Sequence, residues 1–197
     1  MKFFAIGDIH GCSKQLKELL DKVKNFPEYK IVFLGDYLDR GPDAEGVINI
    51  MRSLDAIYVL GNHEQMLFNA VDNHPELFEE YLKMVGISKS SYYWLKTLDY
   101  KFETEDYIFT HAGLNPKKDL KNQTIDDYIW TFFDSDLSHI TLKTVVQGHL
   151  HKPELFIFGN HIITDTNCGQ GGYLTGVLLP DMIPLKSDTK SIRPIFF

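Results

Sequence analysis

The chain has 197 residues, of which 44% are hydrophobic and 24% are charged, and its formal net charge at pH 7 is −7. This composition is typical of a globular chain with a buried core and excludes an intrinsically disordered one, so we expect a single domain over residues 1–197. The acidic balance disfavours a nucleic-acid-binding protein, which would present a basic surface to phosphates.

The first half of the chain alternates between predicted strands and helices. KFFAIG, KIVFLG and AIYVLG are short, almost continuously apolar runs that end at Gly7, Gly35 and Gly61. Between them, SKQLKELLDKVKNF has an apolar face at helical spacing, with Ser13 as its predicted N-cap. PDAEGVINIMRSL predicts a second helix with Pro42 in its first turn. This alternation predicts βαβ units and a sheet that is covered on both faces.

The rest of the chain has a different pattern. From about residue 64 to 97 the pattern is helical, which predicts a helical insertion. YKFETEDYIFTHAG then predicts a hairpin, and TVVQGH, LFIFGNHIITDT and YLTGVLLP predict further short strands separated by turn residues. The predicted fold class is therefore α/β with mixed character, in which two packed mixed β-sheets are flanked by helices.

Polar side chains follow five of the predicted strands, in the segments GDIHG, GDYLDRG, GNHE, THAG and GHLH. Asp and Gly are ordinary turn residues, so any one of these segments alone means little. However, five of the eight histidines lie in them, namely His10, His63, His111, His149 and His151. Ligands of open α/β sheets collect at the carboxyl ends of the strands. The sequence therefore predicts that these segments form one cluster.

In this order, the five segments resemble those of the calcineurin-like metallophosphoesterases. Within that family they are most similar to the phosphoprotein phosphatase branch, which includes small bacterial and phage serine/threonine phosphatases and is related to symmetrical diadenosine tetraphosphatases. ITDTNCGQGGYLTGV also resembles the small bacterial members. The resemblance implies a sandwich of two sheets and a site for two divalent metal ions, with Mn²⁺ as the expected metal and Fe or Zn²⁺ as alternatives.

The resemblance also implies the metal ligands, residue by residue. Asp8 and His10 would hold the first metal, Asp36 would bridge both, and Asn62, His111 and His149 would complete the second. A hydroxide shared by the two metals would attack phosphorus in line with the leaving oxygen.

Three further residues take catalytic roles in the same resemblance. His63 would be the general acid that protonates the leaving oxygen, because the pKa of an imidazole lies near neutral pH. Asp39 would orient His63 through its other ring nitrogen. Arg40 would bind phosphate oxygens with its planar guanidinium, together with Asn62. Glu64 is predicted to be a buried structural partner.

Two positions depart from the pattern of the branch. Phosphatases of this branch usually carry a second phosphate-binding arginine shortly after a tryptophan, but here Trp130 is followed two residues later by Phe132. We therefore expect weaker binding of phosphomonoesters, or a bulkier and less charged substrate. His151 matches the GHxH pattern of the wider family instead. It is predicted either to join Asp8 and His10 on the first metal or to be a solvent-facing or hydrogen-bonding residue.

The leading functional prediction is a metal-dependent phosphomonoesterase of the serine/threonine protein phosphatase type, which acts on a phosphorylated protein or peptide or on a small phosphoester. A bis(5'-nucleosyl)-tetraphosphatase or a phosphodiesterase is the alternative. A third interpretation is a scaffold protein that has lost its metals. That interpretation is disfavoured because every ligand position is filled.

The sequence also predicts where the protein acts. Two cysteines are too few for a disulfide framework, which favours a reducing compartment. The N-terminus lacks the pattern of a signal peptide, and no apolar run approaches the roughly 18 residues that would span a bilayer. We therefore expect a cytoplasmic protein with no nucleic-acid or membrane partner.

Overall fold

The computed structural model describes residues 1–192, and its strands form two five-stranded mixed sheets. The first sheet consists of β1 (Lys2–Ile6), β2 (Tyr29–Phe33), β3 (Ile57–Tyr58), β9 (Thr175–Leu179) and β10 (Ile183–Lys186), in the order β10-β9-β1-β2-β3. The second consists of β4 (Lys101–Glu103), β5 (Tyr107–Thr110), β6 (Thr144–Gln147), β7 (Phe156–Phe158) and β8 (His161–Ile163), in the order β4-β5-β6-β8-β7. The predicted fold class is thereby confirmed.

Six α-helices accompany the sheets in this described part of the chain. They are α1 (Ser13–Val23), α2 (Ala44–Arg52), α3 (Asn62–Asn73), α4 (Phe78–Val85), α5 (Lys89–Leu95) and α6 (Ile125–Trp130). Helices α3 to α5 form the predicted helical insertion. No helix within residues 1–192 combines the length and the apolar character needed to cross a membrane. The cytoplasmic location and the single domain over residues 1–197 stay predictions, and residues 193–197 lie outside the described part.

Both faces of β1 are buried, which explains its continuous apolar sequence. Phe4 and Ile6 belong to the core beneath the helices, which also contains Leu16 of α1. Phe3 belongs to the core between the two sheets and makes an edge-on ring contact with Phe109 of β5, with ring centroids 5.1 Å apart. Strands β1, β2 and β3 are parallel, so their carboxyl ends lie at one edge of the sheet. The packing on both faces fixes the position of that edge.

The starts of α1 and α2 differ from the prediction. Ser13 is the first residue of α1 and not its N-cap, and the Cys12 side chain at the N-cap position makes no capping hydrogen bond. The Ser13 hydroxyl donates instead to the carboxylate of Asp43. Asp43 is the N-cap of α2 and accepts from the backbone N–H of Gly46, so Pro42 precedes this helix. One carboxylate thus links both helix starts behind the first two strand ends.

Candidate functional site

Asp36 follows β2 and lies between two groups of potential metal ligands. In the first group, the Asp36 Oδ2 atom lies 3.5 Å from His10 Nε2 and 3.8 Å from His63 Nε2. Asp8 joins this group, since its Oδ2 atom lies 3.9 Å from His10 Nε2. The three residues predicted for the first metal therefore converge, and His63, the predicted general acid, lies beside them.

The second group lies on the other oxygen of Asp36. His111 Nε2 lies 3.4 Å from Asp36 Oδ1, 2.8 Å from Asn62 Oδ1 and 3.1 Å from His149 Nδ1. These residues come from the ends of β2, β5 and β6 and from the first residue of α3. The four side chains predicted for the second metal are thus brought together from four separate segments of the chain.

The backbone at the site adopts conformations that side chains rarely allow. Positive φ angles occur at His10 (48°), Asp36 (54°), Asp39 (64°), Arg40 (63°) and His149 (59°). These five are predicted site residues, and they belong to a total of seven non-glycine residues with positive φ between Met1 and Ile192. Such residues each cost on the order of 1–3 kcal/mol and persist only where their surroundings hold them. The concentration of strained backbone makes this loop cluster the candidate functional site.

Glu64 in the first turn of α3 holds the strained Asp36 segment in place. Its buried carboxylate accepts backbone hydrogen bonds from Asp36 (3.0 Å), Tyr37 (2.8 Å), Leu38 (3.2 Å) and Gly61 (3.0 Å). Each oxygen accepts two of these bonds. The structure therefore gives Glu64 the role of a buried structural partner, and this partner acts directly on the backbone that carries the shared ligand.

Burial shifts the protonation of the acidic ligands. Desolvation raises the pKa of Asp36 to about 7. It also raises the pKa of Asp8 well above its usual value, and the neighbouring carboxylates of Asp165 and Asp36 add to this shift. Asp165 is itself only 4% exposed, and burial raises its pKa as well. Three carboxylates thus share a region with little access to water, where positive charge would stabilise their ionised forms.

Burial acts on the histidines in the opposite direction. It lowers the pKa of His10 and of His111 well below the usual value and that of His149 to about 4, so all three are neutral at pH 7. His10 Nε2 and His149 Nε2 are buried without a hydrogen-bond partner within the described residues. Neutral imidazoles with an unpaired nitrogen beside desolvated carboxylates are the donors that a divalent cation requires. The residues present therefore fit metal ions.

Asp39, His63 and Arg40 form a chain of contacts beside the first ligand group. His63 Nδ1 lies 2.6 Å from Asp39 Oδ2, and His63 Nε2 lies 3.3 Å from Arg40 Nη2. Burial alone would lower the pKa of His63, but the hydrogen bond to Asp39 and the charges of Asp36 and Asp39 together raise it. With Nδ1–H donating to Asp39, Nε2 accepts from the Arg40 guanidinium, which can only donate, and the raised pKa favours the uptake of a second proton at Nε2.

The two departures from the phosphatase pattern occupy different places. His151 is exposed and belongs to neither group of potential ligands found within residues 1–192, so its ligation of the first metal stays a prediction. Phe132, in contrast, lies at the site, with its ring centroid 4.8 Å from that of His149. An aromatic ring thus lies beside a candidate metal ligand, at the position where the resemblance would place a second arginine.

Sequence reasoning missed Asp165 as a member of the site. The residue follows β8 in the segment ITDT, so it obeys the same strand-end rule as Asp8 and Asp36. That segment carries part of the resemblance, and its position after a predicted strand is the signal that identifies Asp165.

A family model and several known proteins are similar to this chain. A family model described as calcineurin-like phosphoesterase matches residues 1–176. The chain is 32% identical over 124 residues to a symmetrical bis(5'-nucleosyl)-tetraphosphatase of Nitrosospira multiformis, a match that covers 59% of this chain and 45% of the relative. It is 28% identical over 224 residues to PrpE of Oceanobacillus iheyensis, named an asymmetrical bis(5'-nucleosyl)-tetraphosphatase, with 92% of this chain and 90% of the relative covered. The chain thus spans about half the length of the symmetrical relatives, 44% to 56%.

Solved structures show the same fold. A protein provisionally assigned as a diadenosine tetraphosphatase superposes with a TM-score of 0.77 at 25% identity, covering 94% of this chain and 92% of that one. A serine/threonine phosphatase of Saccharomyces cerevisiae superposes with a TM-score of 0.56 at 17% identity, covering 99% and 81%. At this lower identity the second similarity concerns the fold alone.

Replacing Glu64 with glutamine tests its structural role. The substitution places an amide NH₂ against two backbone N–H donors, so we expect the free energy of unfolding in urea to fall by at least about 3 kcal/mol. The matched control is Glu105→Gln at an exposed turn, which should change the free energy of unfolding by less than about 0.5 kcal/mol. Equal effects of the two substitutions would contradict the assignment.

Proposed function

Because the chain belongs to the calcineurin-like phosphoesterase family, we propose that it is a two-metal hydrolase of phosphoric esters and anhydrides whose preferred substrate is a dinucleoside polyphosphate. The observation that carries the two-metal part is the buried carboxylate of Asp36, which lies in both groups of potential ligands. A shared carboxylate between two metals is the arrangement that phosphoryl transfer commonly uses.

The donor chemistry supports the metals. Carboxylate, imidazole and amide oxygen ligands suit Mn²⁺, Fe or Zn²⁺, and we propose Mn²⁺. In this proposal, the first cation is held by Asp8, His10 and Asp36, and the second by Asp36, Asn62, His111 and His149. When bound, such cations withdraw electron density from phosphoryl oxygens and lower the pKa of a coordinated water.

The remaining steps are assigned to side chains beside the ligands. Arg40 binds non-bridging phosphate oxygens through two parallel N–H groups, which lysine could not reproduce. His63 donates the proton on Nε2 to the leaving oxygen, since this nitrogen faces the same space as the Arg40 guanidinium. Asp39 accepts from Nδ1, which fixes the ring orientation and stabilises its protonated form.

The substrate class rests on two observations. The relatives that match this chain over nine-tenths of their length are named bis(5'-nucleosyl)-tetraphosphatases. In addition, Phe132 beside His149 supplies no second guanidinium for the dianionic phosphate of a monoester. Both observations favour a dinucleoside polyphosphate, whose internal phosphate groups each carry less charge than the phosphate of a monoester.

A phosphomonoesterase of the serine/threonine protein phosphatase type is the second candidate. The segments GDYLDRG and GNHE favour it, because the resembling tetraphosphatases often replace the aspartate of DRG or carry GNHD. Asp39 and Glu64 are both present here, and both make the contacts described above.

The choice between the candidates is testable by kinetics of the Mn²⁺-loaded protein. We expect kcat/KM for diadenosine tetraphosphate to exceed that for a phosphoserine peptide by at least about tenfold, or about 1.4 kcal/mol in transition-state binding. Nitrophenyl phosphate and bis(nitrophenyl) phosphate complete the panel. The reverse order would support the phosphomonoesterase, and no hydrolysis of any of the four would contradict both candidates.

The shared ligand is testable by metal analysis without any activity measurement. After loading with Mn²⁺ and removal of free metal, we expect about two ions per chain in the native protein and fewer than one in Asp36→Asn, because both groups lose a ligand. Asp106→Asn, at an exposed turn, is the control and should keep both ions. An Asp36→Asn protein that retains two ions would overturn the bridging role.

The acid role of His63 is testable by its dependence on the leaving group. His63→Asn should lower kcat for an alkyl phosphate by about 10²- to 10⁴-fold, because the alkoxide needs a proton. For nitrophenyl phosphate the loss should be much smaller, since nitrophenolate leaves without one. Equal losses on both substrates, or loss of bound Mn²⁺ from the variant, would instead identify His63 as a ligand.

A further inference from the structure

Two aromatic side chains lie beside the candidate metal ligand His149, and we call them the aromatic platform (Trp130 and Phe132). The Phe132 ring lies 4.8 Å from the His149 ring and is tilted by 59°. The Trp130 ring lies 6.4 Å from the same imidazole and is perpendicular to it. The platform is thus continuous with the second ligand group.

Both platform side chains are exposed even though they are large and apolar. Phe132 is 74% exposed and Trp130 is 41% exposed. A phenylalanine with most of its surface in water contributes little to folding, because its ring gains little from burial. An exposed aromatic surface next to a candidate catalytic site therefore indicates ligand binding.

The backbone of the platform is anchored through α6, whose last residue is Trp130. Thr124 and Asp127 form a capping box at the start of α6, and Lys118 donates a further hydrogen bond to Asp127. The hydroxyl of Thr131, between the two rings, donates to the backbone carbonyl of Asp127 at 2.7 Å. The backbone that carries the rings is therefore held in position before any ligand arrives, which reduces the entropy lost on binding.

The groove beside the platform has room for a heteroaromatic base. Its volume is about 420 Å³, and its walls include both rings together with Lys117 and Asp126. Within residues 1–192, these two charged side chains form no ion pair or hydrogen bond with other side chains. Asp127 also lines the groove, but its carboxylate is paired with Lys118. The remaining cation and carboxylate balance each other, so the groove suits an uncharged group with donors and acceptors at its edges.

We propose that the aromatic platform stacks the nucleobase of a nucleotide whose phosphate lies at the metal ligands. The inference rests on the proposed function, and it adds the subsite that recognises the nucleoside. A base offers a π-face to Phe132 or Trp130, and its exocyclic groups or the ribose hydroxyls can reach Asp126 or Lys117. An extended phosphopeptide carries a planar ring only at some sequences, so the base fits the platform better.

The test compares two ligands that differ only by adenine. Calorimetry on the Mn²⁺-loaded protein measures the dissociation constants of AMP and ribose 5-phosphate, and no hydrolysis is required. In the native protein we expect AMP to bind about tenfold more tightly than ribose 5-phosphate, because stacking of one base on an aromatic ring contributes about this much. In Phe132→Ala this ratio should fall to about two or less, and in Phe132→Tyr it should be retained.

The matched control is Phe158→Ala. Phe158 is also exposed, at 54%, and pairs with His161 at the start of β8, whereas the site lies beyond the end of that strand. This variant should keep the native ratio. A native ratio near one would overturn the platform. So would Phe132→Ala weakening both ligands equally, because the ring would then only position His149.

These outcomes are separable from those of the proposed function. If diadenosine tetraphosphate is hydrolysed but the ratio is near one, the subsite is wrong and the activity stands. If the ratio falls in Phe132→Ala but diadenosine tetraphosphate is not hydrolysed, the nucleotide subsite stands and the proposed substrate is wrong.

Discussion

The carboxylate of Asp36 is the constraint around which the rest of the site is arranged. It is desolvated, and its residue has a positive φ of 54°. Four backbone N–H groups converge on Glu64 to keep that segment in place, one of them from Asp36 itself. The fold therefore holds a charged group where water cannot stabilise it. Such a group either takes up a proton, as its pKa of about 7 allows, or is stabilised in its ionised form by nearby positive charge.

The other side chains of the site follow from this constraint. Asp8 and Asp165 add further buried carboxylates, and burial first and then the charges of Asp165 and Asp36 raise the pKa of Asp8. His10, His111 and His149 around them are neutral, and two of their nitrogens have no partner among the described residues. The neutral imidazoles and the mutually repelling carboxylates together disfavour the metal-free state. This distribution of charge favours the binding of divalent cations at the carboxyl ends of the strands, where the site residues meet.

The sequence predicted this cluster because parallel strands place their carboxyl ends together. Asp8, Asp36 and Asn62 could therefore be grouped before any interatomic distance was known. It predicted the sheets and the helical insertion through periodicity. It did not predict β10 or α6, which are too short and too exposed to show a clear period. It also misplaced the start of α1, since the hydroxyl of Ser13 finds a better partner in Asp43 across the fold. Tertiary hydrogen bonds of this kind leave no local signal.

The exchange of a phosphate-binding arginine for Phe132 has a consistent physical meaning under the proposed function. A charge-assisted hydrogen bond from a guanidinium contributes about 1.5–3 kcal/mol, and stacking of one base contributes about 1–3 kcal/mol. The two are similar in size but select different ligands. A guanidinium favours the dianionic end of a monoester, whereas a ring favours a nucleoside attached to phosphates of lower charge. Beside His149, such an exchange would shift specificity from the charge of the phosphate group to the nucleoside attached to it. The total binding energy would change little.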